Sequence, residues 1–385
     1  MILRKYFFVC LCFSVIAMGC AGIDKGQFGS LASKPVSVGI KRPFRTGMMK
    51  MHPYLDLQKP LAPADYVGWV ESAGMLLGNP EEGVLLAVDL KTRSKVWAKA
   101  LKGGDLTVPV FPVGDSLLTC QKDGTLSKLD SKTGSVIWEY KLPTFVSVNL
   151  SNDQERIYAI TSSQVLYAIN FHDGKMEWLY DPEVNTEIKI QNAAPPLVSV
   201  GKLYWGLTTG ELMSLEAKTG KRLWRRNPKY TIGGRFHNYA GSLVVSNKLL
   251  AFCRYDGLIG AVSTESGQEG ELRWQLDSNS GNCSDADSRG GLFYAVTSKG
   301  EVYSINIDNG ATLWSSKLGP DLSSVFVLED SIFASSTEGQ IYNISMNGQL
   351  IWFDNLEARI LSHPFLFDKQ IYFSTGLKNI YSYKT

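Results

Sequence analysis

The sequence predicts an all-β chain, a single eight-bladed β-propeller of four-stranded antiparallel blades closed by an N-terminal strand. Three observations predict it. Trp97, Trp138, Trp178, Trp224, Trp274, Trp314 and Trp352 recur at intervals of 38 to 50 residues, a period that marks blades or helical repeats. Most of them end the same turn pattern, a polar residue, then Thr or Asn, then Gly, then Trp. Residues 60 to 385 carry alternating apolar and polar runs of strand length and no amphipathic segment of helical period, which excludes a helical solenoid.

Composition sets the outer bounds. The 385 residues include 36 Gly and 15 Pro, with 44% hydrophobic and 20% charged side chains, a globular and turn-rich mixture that is neither disordered nor collagen-like. Apart from Arg4 and Lys5, 37 basic residues face 37 acidic ones. The basic surplus of a nucleic-acid binder is missing, so no nucleic-acid partner is expected. The four histidines, His52, His172, His237 and His363, lie far apart and form no metal-ligand spacing.

Met1 to Gly19 reads as an export signal, with Arg4 and Lys5 ahead of the apolar run Tyr6 to Met18. That run, roughly 13 residues, is too short to span a bilayer comfortably. It ends at Ala17-Met18-Gly19-Cys20, which resembles a bacterial lipoprotein lipobox. The resemblance implies that Cys20 becomes the acylated N-terminus and, with Ala21 rather than Asp behind it, that the protein goes to the outer membrane. Cleavage near Ala21 by an ordinary signal peptidase would release a soluble periplasmic protein instead. The expected organisation is a signal peptide at 1–19, a lipidated flexible tether at 20–49 and the propeller at 50–385. Of the remaining cysteines, Cys120, Cys253 and Cys283, the oxidising compartment permits a Cys253 to Cys283 bridge. A domain of this size holds its core without one, and buried free thiols are the expectation.

The turns define the blades. Asp130-Ser-Lys-Thr-Gly134 before Trp138, Asn170-Phe-His-Asp-Gly174 before Trp178, Glu216-Ala-Lys-Thr-Gly220 before Trp224 and Asn306-Ile-Asp-Asn-Gly310 before Trp314 share one register; Asp89 to Trp97 keeps it with Arg93 in place of Gly. Glycine suits such hairpins because it accepts positive φ. A second turn recurs upstream eight times, at Gly83, Gly124, Gln164, Gly210, Gly257, Gly300, Gly339 and Gly376. Eight such turns against seven tryptophans leave the last unit one strand short as the chain ends. Ring closure removes open edges, and the segment Pro53-Tyr-Leu-Asp-Leu57, which matches Val96 to Ala100 in spacing, is the expected closing strand.

In a four-stranded meander the connection between blades emerges on the same face as these second turns. Residues 181–195 and 225–241 are the long connections, so blades 4 and 5 build up one rim, and loops on a rigid scaffold are where binding resides. Ile188 and Ile190 are apolar in an otherwise polar loop; they either anchor a protein partner or cover the seam between blades 3 and 4. Arg225, Arg226, Lys229 and Arg235 read as a solvated basic face. Asp285 and Asp287 have the spacing to chelate a cation, but a solvated interblade loop is the expectation. No G-x-S-x-G elbow or zinc spacing is present, and nothing supports catalysis.

The D-x-x-T-G-x-x-x-W repeat resembles the signature of pyrroloquinoline-quinone (PQQ)-like propellers, and the resemblance covers most of residues 60 to 385. Propellers of the Trp-Asp type are excluded, since none of the seven tryptophans is followed by Asp. Within the PQQ-like group, dehydrogenases carry a Ca²⁺ site and often an adjacent cysteine pair against the quinone, and this chain has no adjacent cysteines. The lipobox, the eight repeats and the terminal Ile380-Tyr-Ser-Tyr383 strand resemble the BamB type of assembly lipoprotein. That resemblance implies a non-catalytic scaffold without cofactor, a barrel-insertion protein of the BamA type as partner, and unfolded outer-membrane proteins as clients. Where that family carries L-x-L-R and then Pro, this chain reads Ile188-Lys-Ile190-Gln191 and then Pro195. Its acidic D-x-D falls on Asn238 and Ala240. The partner-binding residues implied are Ile188, Ile190, Gln191 and Asn238. The alternatives are a quinone-dependent enzyme or a generic binding lipoprotein of the envelope.

Overall fold

The computed structural model describes residues 45–50, 68–184, 194–228, 237–278, 281–360, 363–376 and 379–384. Its strands form eight separate four-stranded antiparallel sheets. Seven are meanders in chain order, covering 70–100, 111–141, 151–180, 197–226, 239–277, 283–317 and 322–355, here blades 1 to 7. Blade 8 combines three strands from 365–384 with an outermost strand from the N-terminal side, Arg45–Lys50. This is the eight-bladed propeller that the repeats predict.

The core is divided among the seams. Eight hydrophobic clusters each straddle one pair of neighbouring blades, from Met75, Leu77, Leu117 and Leu129 between blades 1 and 2 to Trp69, Leu76, Val88 and Ile380 between blades 8 and 1. Alternation explains this: the two middle strands of a blade point side chains to both faces, and each face meets a neighbour. A buried aliphatic side chain there contributes about 1.5–3 kcal/mol, so stability grows seam by seam around the closed ring.

The tryptophans work across the seams. Trp97, Trp138, Trp178, Trp274 and Trp314 each donate an indole N–H to a backbone carbonyl of the following blade, on Ser131, Phe171, Ala217, Ile307 and Met346 respectively. Each of those carbonyls belongs to the residue just after the polar residue that opens the tryptophan turn. Trp224 differs from these five: its buried Nε1 finds no acceptor among the described residues. In blade 5 the turn between Ser263 and Trp274 is three residues longer than its counterpart between Asp130 and Trp138.

Three expectations need correction. The closing strand is Arg45–Lys50, pairing antiparallel from Arg45 opposite Tyr383 to Lys50 opposite Asn379, so blade 8 extends into the stretch assigned to the tether. Residues 53–57 lie outside the described residues. Spacing from the tryptophan could not find this strand, because Gly47 stands at the tryptophan's register position: Gly47 pairs with Ser382 as Trp97 pairs with Ala87. Arg45 holds the strand to blade 7 through Asp354 at 2.6 Å and lies 5.0 Å from the Tyr381 ring centre.

The second correction is the disulfide. Cys253 in blade 5 and Cys283 at the start of blade 6 are bonded to each other, because neighbouring strands bring them together inside the apolar seam. Among the described residues Cys120 is the free thiol; it is buried, and burial pushes its pKa up. The third concerns Asp285 and Asp287. They are not in a loop but in the innermost strand of blade 6, Cys283–Arg289, where their Oδ2 atoms accept from the N–H groups of Val325 and Val327 in blade 7, both at 2.9 Å. Burial raises the Asp285 pKa. The pair stitches two inner strands together, and among the described residues no group of three His, Cys, Asp or Glu is placed to hold a metal.

Candidate functional site on the face of the interblade connections

Of the residues singled out for partner binding, Ile188, Ile190 and Gln191 lie outside the described residues, as do Lys229, Arg235 and Cys20. What the structure shows is how the two long connections are rooted. At the end of the blade 4 outer strand, Arg225 forks onto Glu211, with Nε to Oε1 at 3.0 Å and Nη2 to Oε2 at 2.6 Å. Its Nη1 donates to the Pro182 carbonyl at 2.9 Å, which ties the start of the 3-to-4 connection to blade 4. The Arg225 hydrogen bonds hold the Glu211 carboxyl below its usual pKa, against the effect of burial. Arg225 is therefore a structural clasp rather than part of a solvated basic face. Glu211 follows the Gly210 turn, and the hairpin, which pairs Arg225 with Met213 two residues further on, leaves Glu211 within reach of the guanidinium.

The end of the 4-to-5 connection is rooted by a second fork. Arg254, 1% exposed, donates from Nε to Asp256 Oδ1 at 3.0 Å and from Nη2 to Oδ2. His237 Nδ1 lies 2.9 Å from the same Oδ2. Burial opposes ionisation of Asp256, yet the hydrogen bonds from Arg254 and His237 and the Arg254 charge hold its pKa below the usual carboxylate range. Between the two forks sits the Thr209-Gly210 turn, whose carbonyl at Gly210 accepts from the buried Tyr239 hydroxyl at 2.8 Å. The two roots and two blade turns thus form one continuous, hydrogen-bonded rim.

Asn238 belongs to this root and is 1% exposed. Its backbone carbonyl accepts from Tyr255 N–H at 2.8 Å, and its Oδ1 meets no donor among the described residues. The expectation that its side chain faces a partner is corrected by this burial: the strand Tyr239–Ser246 begins one residue later, with Tyr239 packed against Gly206 and its hydroxyl on the Gly210 carbonyl, and draws Asn238 inward. An open recess of about 620 Å³ lies on the opposite face between blades 5 and 6, lined by Asn247, Lys248, Glu265, Arg273 and Asp308 among others. Its charges are turned on one another, with Lys248 2.9 Å and Arg273 3.8 Å from Glu265.

An eight-bladed ring with tryptophans set against turn glycines, and with the described ends of two long connections hydrogen-bonded on one face, is a propeller of the PQQ-like class. The family model described as outer membrane protein assembly factor BamB matches residues 81–316, 266–330 and 298–384, and the chain belongs to that family. The outer membrane protein assembly factor BamB of Moranella endobia (strain PCIT) is 24% identical over 309 residues, covering 74% of this chain and 76% of that protein. The crystal structure of BamB from Moraxella catarrhalis superposes with a TM-score of 0.73 at 16% identity, covering 89% of this chain and all of that one. The dehydrogenase subunit of a quinone alcohol dehydrogenase from Acetobacter aceti is 26% identical, but over 39% of this chain and only 23% of its own length.

Proposed function

We propose that the chain is a non-catalytic scaffold of the outer-membrane β-barrel assembly machinery that docks the barrel-insertion protein through the face bearing the 3-to-4 and 4-to-5 connections. The observation that carries this reading is the rooting of both connections by Arg–carboxylate forks, Arg225 with Glu211 and Arg254 with Asp256. Fixed loop ends present a binding segment from a defined place, and preorganisation of that kind favours affinity. Family membership supplies the function class. In this reading residues 1–19 are a signal peptide, Cys20 carries the lipid, the residues up to 44 form the tether, and the propeller faces the periplasm from the outer membrane. Ile188 and Ile190 serve as apolar contacts beside Gln191, and unfolded outer-membrane proteins are clients.

Capture by the purified periplasmic part of the barrel-insertion protein tests the docking. An Ile188→Asp, Ile190→Asp variant with parental melting should lose capture; capture equal to the parent removes these residues from the site. A Cys20→Ala chain should leave the membrane fraction, and one that stays there refutes the lipid anchor. Saturable, Ca²⁺-dependent quinone binding would favour the enzymatic reading instead.

A further inference from the structure

Blade 5 makes its second turn unlike its neighbours. In blades 2, 4, 6 and 7 the turn glycine donates its N–H to the residue three before it, which is Gln121, Leu207, Thr297 or Ser336; in blade 3, Gln164 does the same to Thr161. Blade 5 closes the same hydrogen bond from Gly257 to Arg254. At the next position the other blades have Lys122, Thr208, Ser298, Thr337 and Ser162, whereas blade 5 has Tyr255. The fold does not need either residue, since five equivalent turns form without them.

Burying a guanidinium and a carboxylate is a poor way to gain stability, because desolvation offsets most of their attraction. Blade 5 nevertheless buries Arg254 and Asp256, at 1% and 2% side-chain exposure, and adds His237 to the pair. What this network fixes is the turn on which Tyr255 stands, 38% exposed, with its backbone N–H held by Asn238. Phe145, 37% exposed, stands on the same face at the 2-to-3 connection, its carbonyl accepting from Ser162 N–H at 2.8 Å. Among the described residues these are the large hydrophobic side chains exposed on this face. The others lie on outer strands, on the innermost strand of blade 8, or at Val200 on the opposite turns.

We infer that Phe145 and Tyr255 are two aromatic anchors of the docking face, one on each side of the 3-to-4 connection, and that the Arg254, Asp256 and His237 network is a positioning device for Tyr255. The inference rests on the docking reading above and names its contacts. The partner it fits is a folded protein surface with two apolar recesses that accept aromatic rings. Rigid aromatic side chains bring large contact area at small entropic cost, which is why they dominate interface energetics.

The test uses the full mature chain and the periplasmic part of the barrel-insertion protein, with affinity and melting temperature measured together. Tyr255→Ala and Phe145→Ala should each weaken binding about tenfold or more at unchanged melting temperature, as anchor truncations do. Tyr255→Phe should bind within about threefold of the parent, and Leu313→Ala, an exposed side chain on the blade 6 outer strand, should bind as the parent does. Arg254→Thr with Asp256→Lys brings in the residues that blade 6 uses at Thr297 and Lys299. It should fold, bind about fivefold or more weakly, and exchange amide hydrogens faster at 254–257. Parental affinity in Tyr255→Ala and Phe145→Ala, while Ile188→Asp, Ile190→Asp loses binding, overturns this inference and keeps the docking face. Parental affinity in all of these variants overturns the docking reading itself.

Discussion

The indole of Trp138 in blade 2 lies on the α-carbon of Gly174 in blade 3, so close that a Cβ added at Gly174 would sit 2.6 Å from the indole Cδ2. The same relation joins Trp97 to Gly134, Trp178 to Gly220, Trp274 to Gly310 and Trp314 to Gly348, while at Gly270 the Arg226 side chain comes closer than the Trp224 ring. Glycine thus has two reasons to stand there, a positive φ of 73° at Gly174 and the ring above it. Blade 1 is the informative contrast. Its turn has Arg93 at φ 55°, and the blade before it has Gly47 where a tryptophan would be. With no indole to admit, the turn needs no glycine.

Gly174→Ala should therefore destabilise the fold by about 2–4 kcal/mol, the sum of left-handed strain and overpacking. Arg93→Gly should stay within about 1 kcal/mol of the parent, since relief of strain and a freer unfolded chain oppose each other. Denaturant midpoints of the two variants decide it, and equal losses would refute the pairing of indole and glycine.

The Cys253 to Cys283 bond closes a stretch with a sequence separation of 30. On the chain-entropy argument it contributes about 3–4 kcal/mol. A Cys253→Ala, Cys283→Ala chain should unfold at lower denaturant by that amount, and reductant should lower the parent's midpoint without moving the variant's. A parent insensitive to reductant would contradict the bridge.

Asp256 has a folded-state pKa below its ordinary value, held there by Arg254 and His237 against burial. The sign follows: its contribution is present above the ordinary carboxylate range and is lost as pH falls through the folded value. Asp256→Asn should cost about 3 kcal/mol at neutral pH, because it leaves Arg254 buried without a counter-charge. That gap should narrow as the pH is lowered below about 4. A gap that stays constant with pH would show that Asp256 is not the titrating partner.

Ring closure can be read from truncations. Removing residues up to 44 should leave melting unchanged, whereas removing residues up to 50 exposes the edge of the strand Asn379–Lys384 and the Asp354 carboxylate that Arg45 holds. Unpaired edges recruit other chains, so the shorter chain should melt lower and associate in size-exclusion chromatography. A monomer of parental stability would place the closing strand elsewhere.

Local chemistry determined the blade count, the strand order and the face on which the connections emerge. Tryptophan spacing, turn glycines and two-residue alternation are properties of short segments, and they carry over to the fold because each blade is built from consecutive residues. The tertiary structure alone decided what joins one blade to another. The closing strand at Arg45–Lys50 carries none of the repeat's marks, since Gly47 replaces the tryptophan that would have flagged it. Cys253 and Cys283, Asp285 and Val325, and Arg225 and Pro182 are separated by 30, 40 and 43 residues. Their bonds exist because adjacent blades present those atoms to each other across a seam. Arg254 and Tyr255 stood in the sequence as departures from the repeat. Only the burial of one and the exposure of the other gave those departures a physical meaning, since a charged residue removed from water has to be matched by a partner that the chain places around it.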